Sequence, residues 1–148
     1  MPSDNFRWME TSDDKVREQA VAEQLEKAWD CKMVAMPNRH WFDYCAMRND
    51  RIVAYVEIKT RTNPHDAFPT YMISSQKMTS GLTAASFLKI KFLLVVQFAD
   101  ALMFVDVPTA KFHLETADRK DADCIEVVLQ IQMDDFKKID LEKGNDNV

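Results

Sequence analysis

Glycine is nearly absent, with two residues, Gly81 and Gly144, in a chain of 148. A backbone cradle for phosphate needs several glycines in one short loop, so Gly-rich nucleotide-binding loops are excluded. No stretch reaches 18 consecutive apolar residues, which excludes a membrane-spanning helix. The first residues, MPSDNFRWMETSDD, are polar and acidic, unlike a secretory signal, and a cytoplasmic protein is the expectation. The three cysteines, Cys31, Cys45 and Cys124, are odd in number and far apart. They form no CxxC or Cys/His zinc spacing, and a reduced compartment is the simplest reading. Basic residues are outnumbered 19 to 24, for a net charge of −5.

What remains is ample for one core. With 47% hydrophobic residues, residues 1–148 read as a single domain, its tail flexible from about 140. The charge is unevenly placed. Residues 1–31 carry 4 basic and 8 acidic side chains, residues 92–148 carry 6 and 12, and residues 32–91 carry 9 and 4. A locally basic face on an acidic protein holds a phosphate backbone with strong salt dependence. Ordinary charge scatter is the alternative.

The most informative stretch is residues 41–61, WFDYCAMRNDRIVAYVEIKTR. Two runs of aromatic and β-branched residues flank a polar tip, the pattern of a β-hairpin. Asp43 interrupts the first run, and Glu57 and Lys59 interrupt the second. Residues i and i+2 of a strand share a face, so Glu57 and Lys59 emerge side by side. Burying such charges costs several kcal/mol unless each has a partner or a metal, so the trio suggests a site. A two-residue turn at Asn49 and Asp50 would place Asp43 opposite Val56. A three-residue loop over residues 49–51, or a bulge, would place it opposite Glu57. One of the latter two is expected, because either gathers all three charges.

Around the hairpin, Thr11, Ser12 and Asp13 offer N-caps for a helix over 14–29, with Val21, Ala22, Leu25, Ala28 and Trp29 on one stripe. Glu18 falls in that stripe, where it either serves a site or merely favours the positive end of the helix. A short strand over 32–36 precedes the hairpin, and a polar loop over 60–75 follows it. Ser74 or Ser75 caps a second helix running to 88. Strands are predicted over 90–98, apolar enough to be buried on both faces, and over 101–107. Residues 109–123 read as irregular, and 124–133 as a last strand. The order α-β-β-β-α-β, with added strands, predicts an α/β fold in which helices cover a mixed sheet.

Glu-x-Lys alone is common by chance, and context supplies the meaning. Asp43 on one strand, then Glu57-Ile58-Lys59 on its partner, resembles the PD-(D/E)xK nuclease superfamily, with its restriction-endonuclease-like αβββαβ core. Residues 56–61 (VEIKTR) are especially similar to small members related to Holliday-junction resolvases and to compact phage and bacterial nucleases. The resemblance covers about residues 14–107. Glu18 precedes Leu25 by seven residues, as a first-helix glutamate does in those members, and Gln76 and Lys77 stand early in the second helix. The proline half of the motif is degenerate, since Pro37 lies six residues before Asp43.

The resemblance implies a Mg²⁺-dependent endonuclease acting on DNA, branched or otherwise structured, with Mn²⁺ able to substitute for Mg²⁺. Asp43, Glu57 and the Ile58 carbonyl would hold the ion, which takes hard oxygen ligands. Lys59 would orient water or stabilise charge on the phosphate, and Glu18 would hold a metal-bound water or second ion. Arg61, Gln76 and Lys77 would contact DNA. Small nucleases of this kind often dimerise, so a homodimer is one expected assembly. The competing readings are a catalytically silent nucleic-acid-binding or assembly module of the same fold, an unrelated interaction domain, and a plain buried ion pair. His65 reads as a surface loop histidine. Trp41, Phe42 and Tyr44 read as sheet packing, and Met36, Met47, Met72 and Met78 as core filler.

Overall fold

A computed structural model describes residues 12–37, 42–119 and 124–141. The first helix, α1 (Ser12–Trp29), turns its apolar stripe inward, with Val21, Ala22, Leu25, Ala28 and Trp29 all buried. It stops where Asp30 takes a left-handed conformation (φ 48°). Arg48 from the hairpin tip donates to the carbonyls of Trp29 and Asp30, satisfying groups a helix end leaves open.

The strands β1 (Lys32–Ala35), β2 (Tyr44–Arg48) and β3 (Arg51–Thr60) form an antiparallel meander. The strands β5 (Lys91–Gln97) and β6 (Leu102–Asp106) extend it, with β5 parallel to β3 and β6 antiparallel to β5. A two-residue strand β9 (Lys137–Lys138) closes the far edge, for a sheet order β1-β2-β3-β5-β6-β9. The parallel β3–β5 pair requires a crossover, and the second helix α2 (Ser75–Leu88) supplies it. Residues 92–96 of β5 are all buried, as expected of a strand covered on both faces.

Side-chain alternation divides the core between the two faces. On the α1 side lie Ala54, Val56, Ile58, Leu93, Val95 and Phe104. On the α2 side lie Phe92, Leu94 and Val96, with Phe42 stacked on Tyr55 and edge-on to Phe92. Met78, Gly81 and Ala85 are the buried face of α2.

Two expectations fail. The loop expected over 60–75 contains a strand, β4 (Thr70–Ser74), and the stretch expected to be irregular over 109–123 contains β7 (Phe112–Arg119). These two flank β8 (Cys124–Gln132) in a separate antiparallel sheet, β4-β8-β7. Tyr71, Ile73, Leu129 and Ile131 of this sheet pack into the α2-side core. The pattern was hidden because only part of the β7–β8 face is covered: Leu114 and Ile125 are exposed, so β7 reads as polar and charged. Met72, expected in the core, points outward and is 52% exposed. Trp41 and the tail beyond 141 lie outside the described residues. Among the described residues no helix is long and apolar enough to cross a membrane, and Cys31, Cys45 and Cys124 are unpaired thiols.

The α2–β5 contact depends on Gly81. A methyl group placed there would come within 2.3 Å of the Phe92 ring, which is fully buried and cannot swing aside. Gly81→Ala is expected to lower stability by about 1–3 kcal/mol through overpacking. Its denaturant midpoint should fall with the slope unchanged, and an unchanged midpoint would show that the helix can back away freely.

Candidate active site

On β3 the alternation sends Val56 and Ile58 to the α1 side and Glu57 to the α2 side. Its register neighbour on β5 is Leu94, and that of Lys59 is Val96. Glu57 is therefore set into an apolar wall, and it is the one fully buried charged side chain among the described residues, at 0% exposure.

Asp43 reaches this carboxylate through a local irregularity. The hairpin turns in two residues, Asn49 (φ 52°) and Asp50 (φ 60°), both left-handed as a tight primed turn requires. The three-residue loop is thus not used. Beyond the tip the register shifts between Ala46 and Met47, because β3 carries one more residue, Val53, than β2 does. That bulge moves Tyr44 opposite Val56, and so carries Asp43, just before β2, to the level of Glu57. The Asp43 Oδ2 accepts a 2.8 Å hydrogen bond from the Ile58 N–H, fixing the peptide that joins Glu57 to Ile58. Ile58, whose carbonyl was expected as a ligand, is thus tied through its own amide to the first acid and joined in the chain to the second.

Two ammoniums answer the two carboxylates. Lys59 Nζ lies 3.3 Å from Glu57 Oε1, its side chain 40% exposed. Lys77, in the first turn of α2, makes a close ion pair with the same oxygen. A cation in a first turn opposes the helix dipole, so Lys77 is there at a local cost that Glu57 offsets. Burial pushes the Glu57 carboxyl above its ordinary range, and Asp43 adds to this, while Lys77 and Lys59 pull the other way. For Lys59, burial alone would favour the neutral amine, but Glu57 and Asp43 prevail and hold the ammonium above its ordinary value.

The other expected residues are placed differently. Glu18 is half-buried on α1 and acts on Tyr44, whose phenol is raised by burial, then by Glu18 and by Asp43. Gln76 is exposed. Arg61 is exposed just past β3, its guanidinium 5.2 Å from the Tyr71 ring centroid. The basic stretch 32–91 does not make one face. Lys59, Arg61 and Lys77 gather at the end of β3, whereas Arg51 begins that strand and Lys91, opposite Ala54, lies near its start. His65 is tied to the β5–β6 turn, its Nδ1 2.7 Å from Asp100 Oδ2 and its N–H on Asp100 Oδ1.

Sequence reading missed Tyr71. It is buried, its hydroxyl has no hydrogen-bond partner, and its phenol is raised by burial against the opposing pull of Arg61 and Lys59. The usable signal was a tyrosine in a strand-like TYMIS run, obscured by the prolines before it.

The donor set fits a hard divalent ion. Glu57 Oε1 is held by the two lysines, Oε2 is buried without a partner, Asp43 is adjacent, and one or two carboxylates are what Mg²⁺ usually takes from a protein. A second group, His65, Asp66 and Asp100, has its ligand atoms within 4.8 Å of one another, on the surface beyond the end of β3.

Comparison with known proteins bears on the fold and the family. No curated protein matches the chain. Among solved structures, the fold is similar to Hjc, a Holliday junction resolvase from the archaeal hyperthermophile Archaeoglobus fulgidus. The TM-score is 0.53 at 16% identity, over 78% of this chain and 80% of that one. The family model described as "Phage putative PDDEXK endonuclease" matches residues 6–139. The chain belongs to this phage PDDEXK endonuclease family.

Proposed function

We propose that the protein is a metal-dependent endonuclease that hydrolyses phosphodiester bonds of DNA through Asp43, Glu57 and Lys59. The observation that carries this reading is the buried Glu57 carboxylate, beside Asp43, with Oε1 held by two lysines, Oε2 without a partner and one of those lysines half-exposed at its mouth. Asp43, Glu57 and the Ile58 carbonyl would hold Mg²⁺, or Mn²⁺ in its place. The ion would polarise the phosphate and acidify a water.

The chain's own groups divide the remaining work. Glu57 and Asp43, against the effect of burial, favour the charged form of Lys59. Its role is to place positive charge where the phosphate becomes more negative. Lys77 orients Glu57 from the helix side, and Glu18 is a more distant candidate for a metal-bound water. Arg61 and Gln76, exposed on either side, would meet the DNA backbone. Family membership and the likeness to a junction resolvase support branched or otherwise structured DNA as substrate. Two symmetric cuts in such a substrate call for a homodimer, acting in the cytoplasm of a phage's host.

One observation favours a second reading, an inactive nucleic-acid-binding or assembly module. Lys59 and Lys77 already balance the charges of Asp43 and Glu57. Lys59→Ala separates the two. In the nuclease, single-turnover cleavage should fall by about 10²–10³ with little change in DNA affinity. In the module it should mainly lower the melting temperature, and the parent protein should cut nothing. Asp43→Asn should abolish Mg²⁺-dependent cleavage with the fold intact, and undiminished cleavage would remove Asp43 from the site.

The raised carboxyl of Glu57 sets two pH dependences. Metal needs the carboxylate, so the metal affinity of the free protein, read by titration calorimetry, should weaken on acidification from a pH above the ordinary glutamate range. Because the folded-state value lies above the unfolded one, the stabilising contribution is complete at low pH and is lost as pH rises through the raised value. Glu57→Gln should therefore melt no lower than the parent at pH 7 while being inactive. A clear loss of melting temperature would mean that the ion pairs outweigh the burial.

A further inference from the structure

Beside the Lys59 end of the site lies a cavity of about 350 Å³ that the catalytic constellation does not use. Its lining includes Arg61, Asn63, Phe68, Tyr71, Phe98 and Gln130. We propose that this cavity receives one unstacked nucleobase of the DNA, next to the phosphate held at Asp43 and Glu57. The proposal rests on the nuclease reading of that site and specifies its substrate class.

Position is the first support. Tyr71 lines the cavity and is within electrostatic reach of Lys59 and Glu57. Arg61 follows Lys59 by two residues and lies over the Tyr71 ring, so one guanidinium borders both the cavity and the site. A strand whose phosphate meets Lys59 would pass Arg61, at the rim of the cavity.

Chemistry is the second. Phe68 supplies exposed aromatic surface over a floor of nearly buried rings, Tyr71 and Phe98, which stand edge to face with centroids 6.3 Å apart. Phe68 is 64% exposed, an apolar ring held out in water at the rim. Asn63 donates to the Pro64 carbonyl, and Gln130 accepts from Thr70 and donates to Glu115, which leaves each amide one N–H and a further acceptor position. The Tyr71 hydroxyl is buried without a partner. Aromatic rings with amides and a guanidinium are how proteins hold a base outside its stack. No carboxylate lines the cavity among the described residues, which disfavours a cation there.

Pre-organisation is the third. The loop carrying Asn63, His65 and Phe68 is anchored at four points. Arg61 N–H donates to the Gln97 carbonyl, Ala99 N–H to that of Asn63, His65 N–H to Asp100, and Met133 N–H to the Pro69 carbonyl. The cavity is thus formed before any ligand arrives. A base paired within a duplex cannot enter it without unstacking, so flaps, bulges and junctions, which present such a base at least cost, are the favoured substrates.

The test uses the full chain with Ca²⁺ replacing Mg²⁺ and DNA probes carrying 2-aminopurine. Four flap probes place the reporter at successive positions about the branch, and a fully paired duplex of the same sequence is the control. At one position the reporter fluorescence should change on saturation with protein. Phe68→Ala should abolish that change and weaken flap binding by about tenfold, as expected for losing one base–ring stack, with duplex binding within twofold of the parent. If Phe68→Ala does not fold, Asn63→Ala, which keeps the rings, should weaken flap binding selectively in its place. No reporter change at any position, or equal weakening for flap and duplex, overturns the proposal. Parallel reactions in Mg²⁺ and Mn²⁺ separate the two readings. A base signal without cleavage of any probe overturns the nuclease reading, and cleavage without a base signal overturns the cavity.

Discussion

A carboxylate inside an apolar wall is the constraint on which the rest of this molecule depends. Glu57 is fully buried between β5 and α2, where an ionised group has a strong tendency to neutralise. Two lysines oppose that tendency without overcoming it. One comes from the same strand two residues on, and one from the first turn of the crossover helix. A plain structural ion pair would gain more from apolar replacement than from such an arrangement. The charges thus stand where folding alone would disfavour them.

Much of the fold serves to hold that carboxylate in place. The bulge at Val53 adds one residue to β3 and so brings Asp43 level with Glu57 instead of Val56. The Asp43–Ile58 hydrogen bond then pins the acidic pair through the backbone. Gly81 lets α2 press against Phe92, and that close approach places Lys77 on the carboxylate. The β4-β8-β7 sheet adds a wall on the same side and brings Tyr71 within electrostatic reach of Lys59. A single side of the central sheet thus carries the charges, the aromatic cavity and the crossover helix.

The same organisation leaves the lysine half-exposed and the acid buried. Strand β3 runs outward through its last residues, so Glu57 is covered while Lys59 emerges. Arg61 continues the line over Tyr71, and the loop that follows is tied down at the β5–β6 turn by Asp100. Exposure thus rises along five residues, from the buried Glu57 to the exposed Arg61.

Local pattern determined a good deal. Residues 14–29 and 75–88 had to be amphipathic helices, and β5 had to be central, because five consecutive buried apolar residues fit nowhere else. Alternation alone put Glu57 and Lys59 on one face, and the charged trio marked the site without any knowledge of the partners. Tertiary structure decided what period and composition do not encode. The hairpin register hung on one extra residue, and a shift by one moves a side chain to the opposite face. Lys77 met Glu57 only because a helix far along the chain packs there, so it could be read as a phosphate contact and not as a partner. Strands β4 and β7 escaped notice because their sheet is covered only in part, leaving a mixed polar pattern with no clean alternation. Tyr71 belongs to one of those strands, and its place beside Lys59 follows from packing between distant segments, which no local sequence signal can carry.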